Sequence, residues 1–225
     1  MFSTTSPRWA GVLLLLGVII FSAATIMAEP FEQEIPLGLY QAIAQNGTSF
    51  QVVNLLAALG IVLLTSAFAL LARLLPQTHR RLTMAGLTLL TLATLLWFIE
   101  ITVRLIVTTE TAHQVGSGSS VPTTFPANAG VGFEPLFVAF LATSLAGLAV
   151  LLWQFGQAGL LSKRWSSVGA GVTIASGSIA AFTYPWVGGV ERALFYPFVL
   201  VLLPMAIFLF SGRASKRIDS FKQGT

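Results

Sequence analysis

The stretch that decides the fold reads SFQVVNLLAALGIVLLTSAFALLARLL (residues 49–75), PQTHRR (76–81), LTMAGLTLLTLATLLWFIEITVRLIV (82–107). Each long run exceeds the roughly 20 mostly apolar residues that a helix needs to cross a bilayer. The short basic segment between them, with Pro76, Arg80 and Arg81, reads as a tight turn between antiparallel neighbours. Four further runs of this kind occur, at about 9–28, 133–155, 166–187 and 194–211. The expected architecture is all-α: one transmembrane domain over 1–225, a polytopic bundle of six helices.

The totals agree. Of 225 residues, 55% are hydrophobic and 9% charged, with mean hydropathy +0.84. A soluble domain carries about a quarter charged residues, and a core of this size has no room for so much apolar surface. These values exclude a soluble globular domain and a disordered chain. The absence of cysteine excludes disulfides, thiol nucleophiles, iron–sulfur clusters and thiolate zinc sites. His79 and His113 both fall in predicted loops, which argues against a haem held by paired intramembrane histidines.

Charge sets the expected orientation, because cytoplasmic loops collect Lys and Arg. Arg8 precedes the first span, and Arg73, Arg80 and Arg81 surround the second connection. Lys163 and Arg164 lie between spans four and five; Arg213, Lys216, Arg217 and Lys222 fill the tail. Those ten of the twelve basic residues belong to one side, and all seven glutamates to the other side or the outer part of a span. Both termini are therefore expected in the cytoplasm and the chain in the cell membrane. The net charge of +4 reflects topology, not nucleic acid. The basic tail 212–225 could touch anionic lipid, although a topology signal alone accounts for it. The first span also resembles a secretory signal ending at Ala28. Ile26 spoils the small-x-small pattern, and retention is the preferred reading.

Two outer connections are long. Residues 29–48 hold Glu29, Glu32 and Glu34, a short interfacial helix over Leu37 to Ala44, and the turn signal Asn46-Gly47. Thr48 and Gln51 fit a capping box at the start of span two. Residues 108–132 contain Gly116-Ser117-Gly118-Ser119-Ser120 and read as a flexible loop. In span five, Gly169, Thr173, Gly177 and Ala181 recur every four residues, with Gly171 and Ala175 on an adjacent stripe. Small residues let helices approach in lipid, so this span is expected at the centre with neighbours on two sides. Pro204 is expected to kink the last span.

Few polar groups lie deep in the spans. Glu100 and Arg104, spaced i to i+4, occupy one face of span three together with Trp97. A lone charge near mid-span costs about 2.5 to 3.5 kcal/mol, so the two are expected to serve each other or a ligand. Asn54, Glu134, Glu191 and Arg192 are expected at the same outer level, with Thr183, Tyr184 and Trp186 beneath the last outer turn. Together they could line an outward-facing vestibule. The site reads as either a ligand or proton site or a structural ion pair, and the shallow depth favours the latter. Glu100 with Glu134 is the sole imaginable catalytic carboxylate pair. No catalytic, cofactor or metal constellation emerges, so no enzyme activity is expected.

Three features carry a resemblance: the long outer loop after span one, the turn Pro76-Gln77-Thr78-His79-Arg80-Arg81, and Gly159-Leu160-Leu161-Ser162-Lys163-Arg164-Trp165 leading into a glycine-rich span. This order resembles a family of uncharacterised six-helix bacterial integral membrane proteins, a domain of unknown function. In that family the last helix often carries a glutamate near its middle, whereas 198–210 has none here. The resemblance implies the bundle and no activity. The expected role is a non-catalytic accessory, assembly or sensory subunit, with the bilayer and a protein at its outer loops as partners. The rival is a small transporter or channel using Glu100, stepping past Thr65, Thr83, Thr88 and Thr91.

Overall fold

The computed structural model describes residues 7–28, 36–117, 134–183 and 197–211, and among these there is no strand. Six helices follow one another: α1 (Pro7–Ala28), α2 (Pro36–Arg73), α3 (Arg80–Gly116), α4 (Glu134–Gln157), α5 (Lys163–Thr183) and α6 (Leu203–Phe210). Four segments are long and apolar enough to cross a membrane: Pro7–Ala28, Ala42–Arg73, Gln77–Val103 and Val138–Gln157. The shortest of these, 20 residues, covers about 30 Å at 1.5 Å per residue, the thickness of a bilayer's hydrocarbon core. The described parts of α5 and α6 fall short, α5 because Ser and Gly dilute its apolar content and α6 because it is brief.

Local chemistry sets the ends. Asn46 leaves helical geometry (φ −132°, ψ 39°) inside α2, so the outer segment from Pro36 is a separate short helix joined by a kink. The turn signal at Asn46-Gly47 is thus the break itself. A 3₁₀ turn, Gln77–His79, reverses the chain into α3. Gly159, at φ 76°, ends α4 in the left-handed conformation that glycine adopts without a Cβ clash. Ser162 then caps α5, its Oγ accepting the Trp165 backbone N–H at 3.2 Å. A five-residue π-helical turn, Phe198–Leu202, leads into α6 immediately before Pro204, whose missing N–H withholds one bond from a carbonyl of the preceding turn. The proline therefore stands at a change of helix type and not within one regular span.

Two expectations need correction. Residues 108–116 are helical, since no Gly or Pro interrupts α3 between Gly86 and Gly116. The loop therefore begins later than Thr108, and His113 sits in a last helical turn. Residues 118–132 lie outside the described residues, as do Tyr184, Trp186, Glu191, Arg192 and the tail 212–225. Second, α5 is not the centre. Gly169, Ala170 and Thr173 are buried, but Val168, Gly171, Ile174 and Ala175 form an exposed outward face. The most enclosed span is α4, whose apolar window is 61% buried against 22% for that of α3. The reason is position. Phe155 of α4 stacks on Phe68 of α2 at 5.9 Å, so α4 touches α2 as well as its chain neighbours.

Consecutive helices pack through close backbone approaches. A Cβ on Gly17 would lie 3.0 Å from the Gly60 carbonyl oxygen, and one on Gly147 would lie 2.9 Å from that of Gly86. Gly11 sits against Leu209 and Phe210, which docks α6 on α1. Gly169 meets Val201 and Leu152, so α5 does have neighbours on two sides there. α6 thus closes the sequence of helices between α1 and α5.

The glycine crossings give a paired prediction. Gly147→Val should destabilise by about 1–3 kcal/mol through overpacking against fixed backbone. Gly171→Ala, which meets nothing within 4 Å, should be neutral or stabilising by up to about 1 kcal/mol. Thermal unfolding of the two variants in detergent checks both signs.

Candidate functional site

The site is built where the N-terminal parts of α2 and α4 meet the C-terminal half of α3. On α3, Trp97, Glu100 and Ile101 are buried, and Glu100 retains only 1% exposure. The Trp97 ring packs on Phe140 of α4, with centroids 4.6 Å apart and planes tilted by 38°. This contact fixes the antiparallel register. Three residues outward from Trp97 is Glu100, and three back from Phe140 is Phe137, so Glu100 is level with Phe137. Glu134, three residues further, begins α4 within about one helical turn of that level. Pro135 suits the first helical turn, and a glutamate there complements the helix dipole.

Asn54 enters from α2. The hydrogen bond between the Thr65 and Thr94 hydroxyls, 2.8 Å, sets the α2–α3 register. Eleven residues outward on each helix, Asn54 is level with Leu105 and so beside Arg104 in height. Asn54 is buried and donates its Nδ2–H to the Phe50 carbonyl at 2.8 Å, back along its own helix. Above it, Ile43, Phe50 and Leu105 form a small apolar cluster. α3 is continuous through Glu100 and Arg104, which keeps their i to i+4 relation. The sequence-predicted Glu100, Asn54, Glu134 and Arg104 thus share one end of three packed helices. Glu191 and Arg192 lie outside the described residues.

A carboxylate buried on an apolar helix can hold a proton, a cation or a neighbouring guanidinium, and each spares it the cost of lying charged and alone in the bilayer. One cleft between the helices lies elsewhere. It has a volume of about 460 Å³ including its mouth, and its lining is almost wholly apolar, with Phe68, Leu90, Phe140 and Leu148 among its walls. Thr65, Thr94 and Ser144 are its hydroxyl-bearing residues, and no charged residue lines it. Thr94 is six residues inward of Glu100, about 9 Å along the axis. This cleft is therefore not the mixed-charge vestibule expected from the sequence.

A second polar cluster, at the other end, was not expected. His79 Nδ1 lies 3.2 Å from Oε1 of the buried Gln154. Thr83 donates to the His79 carbonyl at 2.8 Å. The buried Ser166 hydroxyl donates to the Leu152 carbonyl, joining α5 to α4. Gly156 offers the room for this, since a Cβ there would collide with Ser166. The sequence signal for this clasp is faint: Gln154 is one of two glutamines, with Gln157, in the last turn of an apolar span.

No family model, no curated protein and no solved structure matches this chain.

Truncating the Trp97 ring should cost about 3–5 kcal/mol as Trp97→Ala, and appreciably less as Trp97→Phe. His79→Ala should cost about 1–3 kcal/mol by leaving the Gln154 amide oxygen without its ring partner. Denaturation midpoints of the three purified variants check the order.

Proposed function

We propose that the chain is a non-catalytic, six-span integral membrane protein that serves as an accessory, assembly or sensory subunit. Both termini and the basic turns face the cytoplasm, and the Glu100 level is a structural clasp below the outer loops. The four membrane-length apolar helices support the membrane setting. Among the described residues, Arg8, Arg73, Arg80, Arg81, Lys163 and Arg164 stand at one end of the helices, and Glu100, Glu110 and Glu134 at the other. That division supports the orientation. Burial of Ala10, Leu14, Val18 and Phe21 against the other helices supports retention of α1.

One observation carries the non-transporting reading. Most of the threonine hydroxyls along the middle already give their proton to a partner within the protein. Thr83, Thr91, Thr94 and Thr143 each donate to a carbonyl four residues back, and Thr65 bonds to Thr94. Between the Glu100 level and the His79–Gln154 clasp, Phe68, Phe155, Leu151 and Leu152 pack with at most 1% exposure. A conducting path needs polar groups or water there, and this lining offers neither incentive.

The second reading, a small transporter with an outward-facing site around Glu100 and Arg104, rests on the burial of Glu100 at the level of Glu134. The two are separable. Glu100→Gln combined with Arg104→Leu should lower stability by about 1–3 kcal/mol. Proteoliposomes of the parent protein should show no flux across a panel of ions. A double variant that keeps its melting temperature but abolishes a measurable flux would replace the clasp with a transport site. The cysteine-free chain also permits direct mapping of orientation. In intact cells, an impermeant thiol reagent should label His113→Cys and spare Ser162→Cys.

A further inference from the structure

We propose that the two basic turns form a binding site for the headgroup of an anionic phospholipid, and this rests on the membrane reading above. The α2–α3 turn contributes Arg73, Arg80 and Arg81, and the α4–α5 turn contributes Lys163 and Arg164, all exposed. These are far apart in sequence, yet the fold ties them together. His79, one residue before Arg80, meets Gln154 near the end of α4 at 3.2 Å. Ser166, two residues after Arg164, hydrogen-bonds to Leu152 of the same helix end. The five cations therefore flank one bridged seam. Among the described residues no carboxylate stands at that end, since Glu100, Glu110 and Glu134 all lie at the other. Nothing described there neutralises the patch internally.

The surroundings specify a lipid and not a soluble polyanion. Trp153 (48% exposed) and Trp165 (36% exposed) adjoin Gln154 and Arg164 and present their rings outward. Exposed tryptophans sit at the glycerol level of a bilayer. Leu82 and Met84, in the first turn after Arg81, are also exposed. A phosphodiester could reach the guanidinium and ammonium groups, its glycerol the indoles, and its acyl chains the leucine and methionine below. Guanidinium suits phosphate because its fork of donors matches two oxygens. A topology signal needs cations anywhere on this side; a binding site needs them gathered at the seam.

The test uses the full chain in nanodiscs of phosphatidylcholine doped with phosphatidylglycerol. Brominated phosphatidylglycerol should quench tryptophan fluorescence about twofold or more above brominated phosphatidylcholine at the same mole fraction. Arg80→Gln with Lys163→Gln should remove that excess and bring the ratio of the two quenching extents to about one. Arg8→Gln, on α1 and outside the two bridged turns, should leave the ratio close to that of the parent protein. Equal quenching by both lipids would overturn the site while leaving the membrane reading intact, and quenching by neither would overturn both. Equal losses per charge for Arg8 and for the seam residues would reduce the effect to general surface potential and overturn the site. Displacement by inorganic phosphate would reassign the patch to a soluble anion and overturn the lipid. The quenching comparison on the unsubstituted protein stands even if the double variant fails to fold.

Discussion

Lipid gives helices no hydrophobic reason to meet, because acyl chains are as apolar as leucine. What holds this bundle is close approach of backbone to backbone, and glycine sets how close. Gly17 beside Gly60 joins α1 to α2, Gly86 beside Gly147 joins α3 to α4, and Gly11 seats α6 on α1. At each crossing a Cβ would stand about 3 Å or less from a backbone atom of the neighbour. Van der Waals attraction falls off steeply with separation, so a small residue on each side makes long helices adhere along their length. The aromatic contacts, Phe68 on Phe155 and Trp97 on Phe140, fill the interior once these crossings have set the spacing.

This constraint explains which parts of the fold were legible in the sequence. The four long spans were, because apolar length is a property of composition and needs no partner. The breaks at Asn46 and Gly116 carry local turn chemistry, although the loop after span three was placed too early: Glu110 to Gln114 are polar enough to suggest a loop yet compatible with a helix. Rank within the bundle was not legible. The stripe Gly169–Thr173 announced close contact, and Gly169 makes it, but a stripe says nothing about the opposite face of its helix. Gly86 and Gly147, isolated among Leu and Ala, form the tighter crossing. Their importance appears only when two helices are brought together.

The candidate site divides in the same way. That Glu100 would be buried followed from the cost of a charge in lipid. That Asn54 and Glu134 approach its level depends on helix register, set by Thr65 with Thr94 and by Trp97 with Phe140. The His79–Gln154 clasp escaped detection because each residue looks ordinary alone: a histidine in a basic turn, and a glutamine near a helix end. Only their 3.2 Å separation gives them a common role.

The two ends of the bundle spend their polar groups differently, and the difference bears on function. At the Glu100 end, Glu100 and Asn54 enter from helix flanks and are enclosed, with Asn54 turned back on its own chain and apolar residues above it. At the opposite end the buried polar groups, Gln154 and Ser166, bridge one turn to another, and the charges beyond them are left exposed. Enclosed polar groups are screened from an outside ligand by the helices around them, whereas exposed charges on a rigid seam keep their capacity to bind. The middle, where a transporter would place its path, holds hydroxyls that already have acceptors. On that distribution the basic seam is the surface on which this bundle is equipped to meet a charged partner.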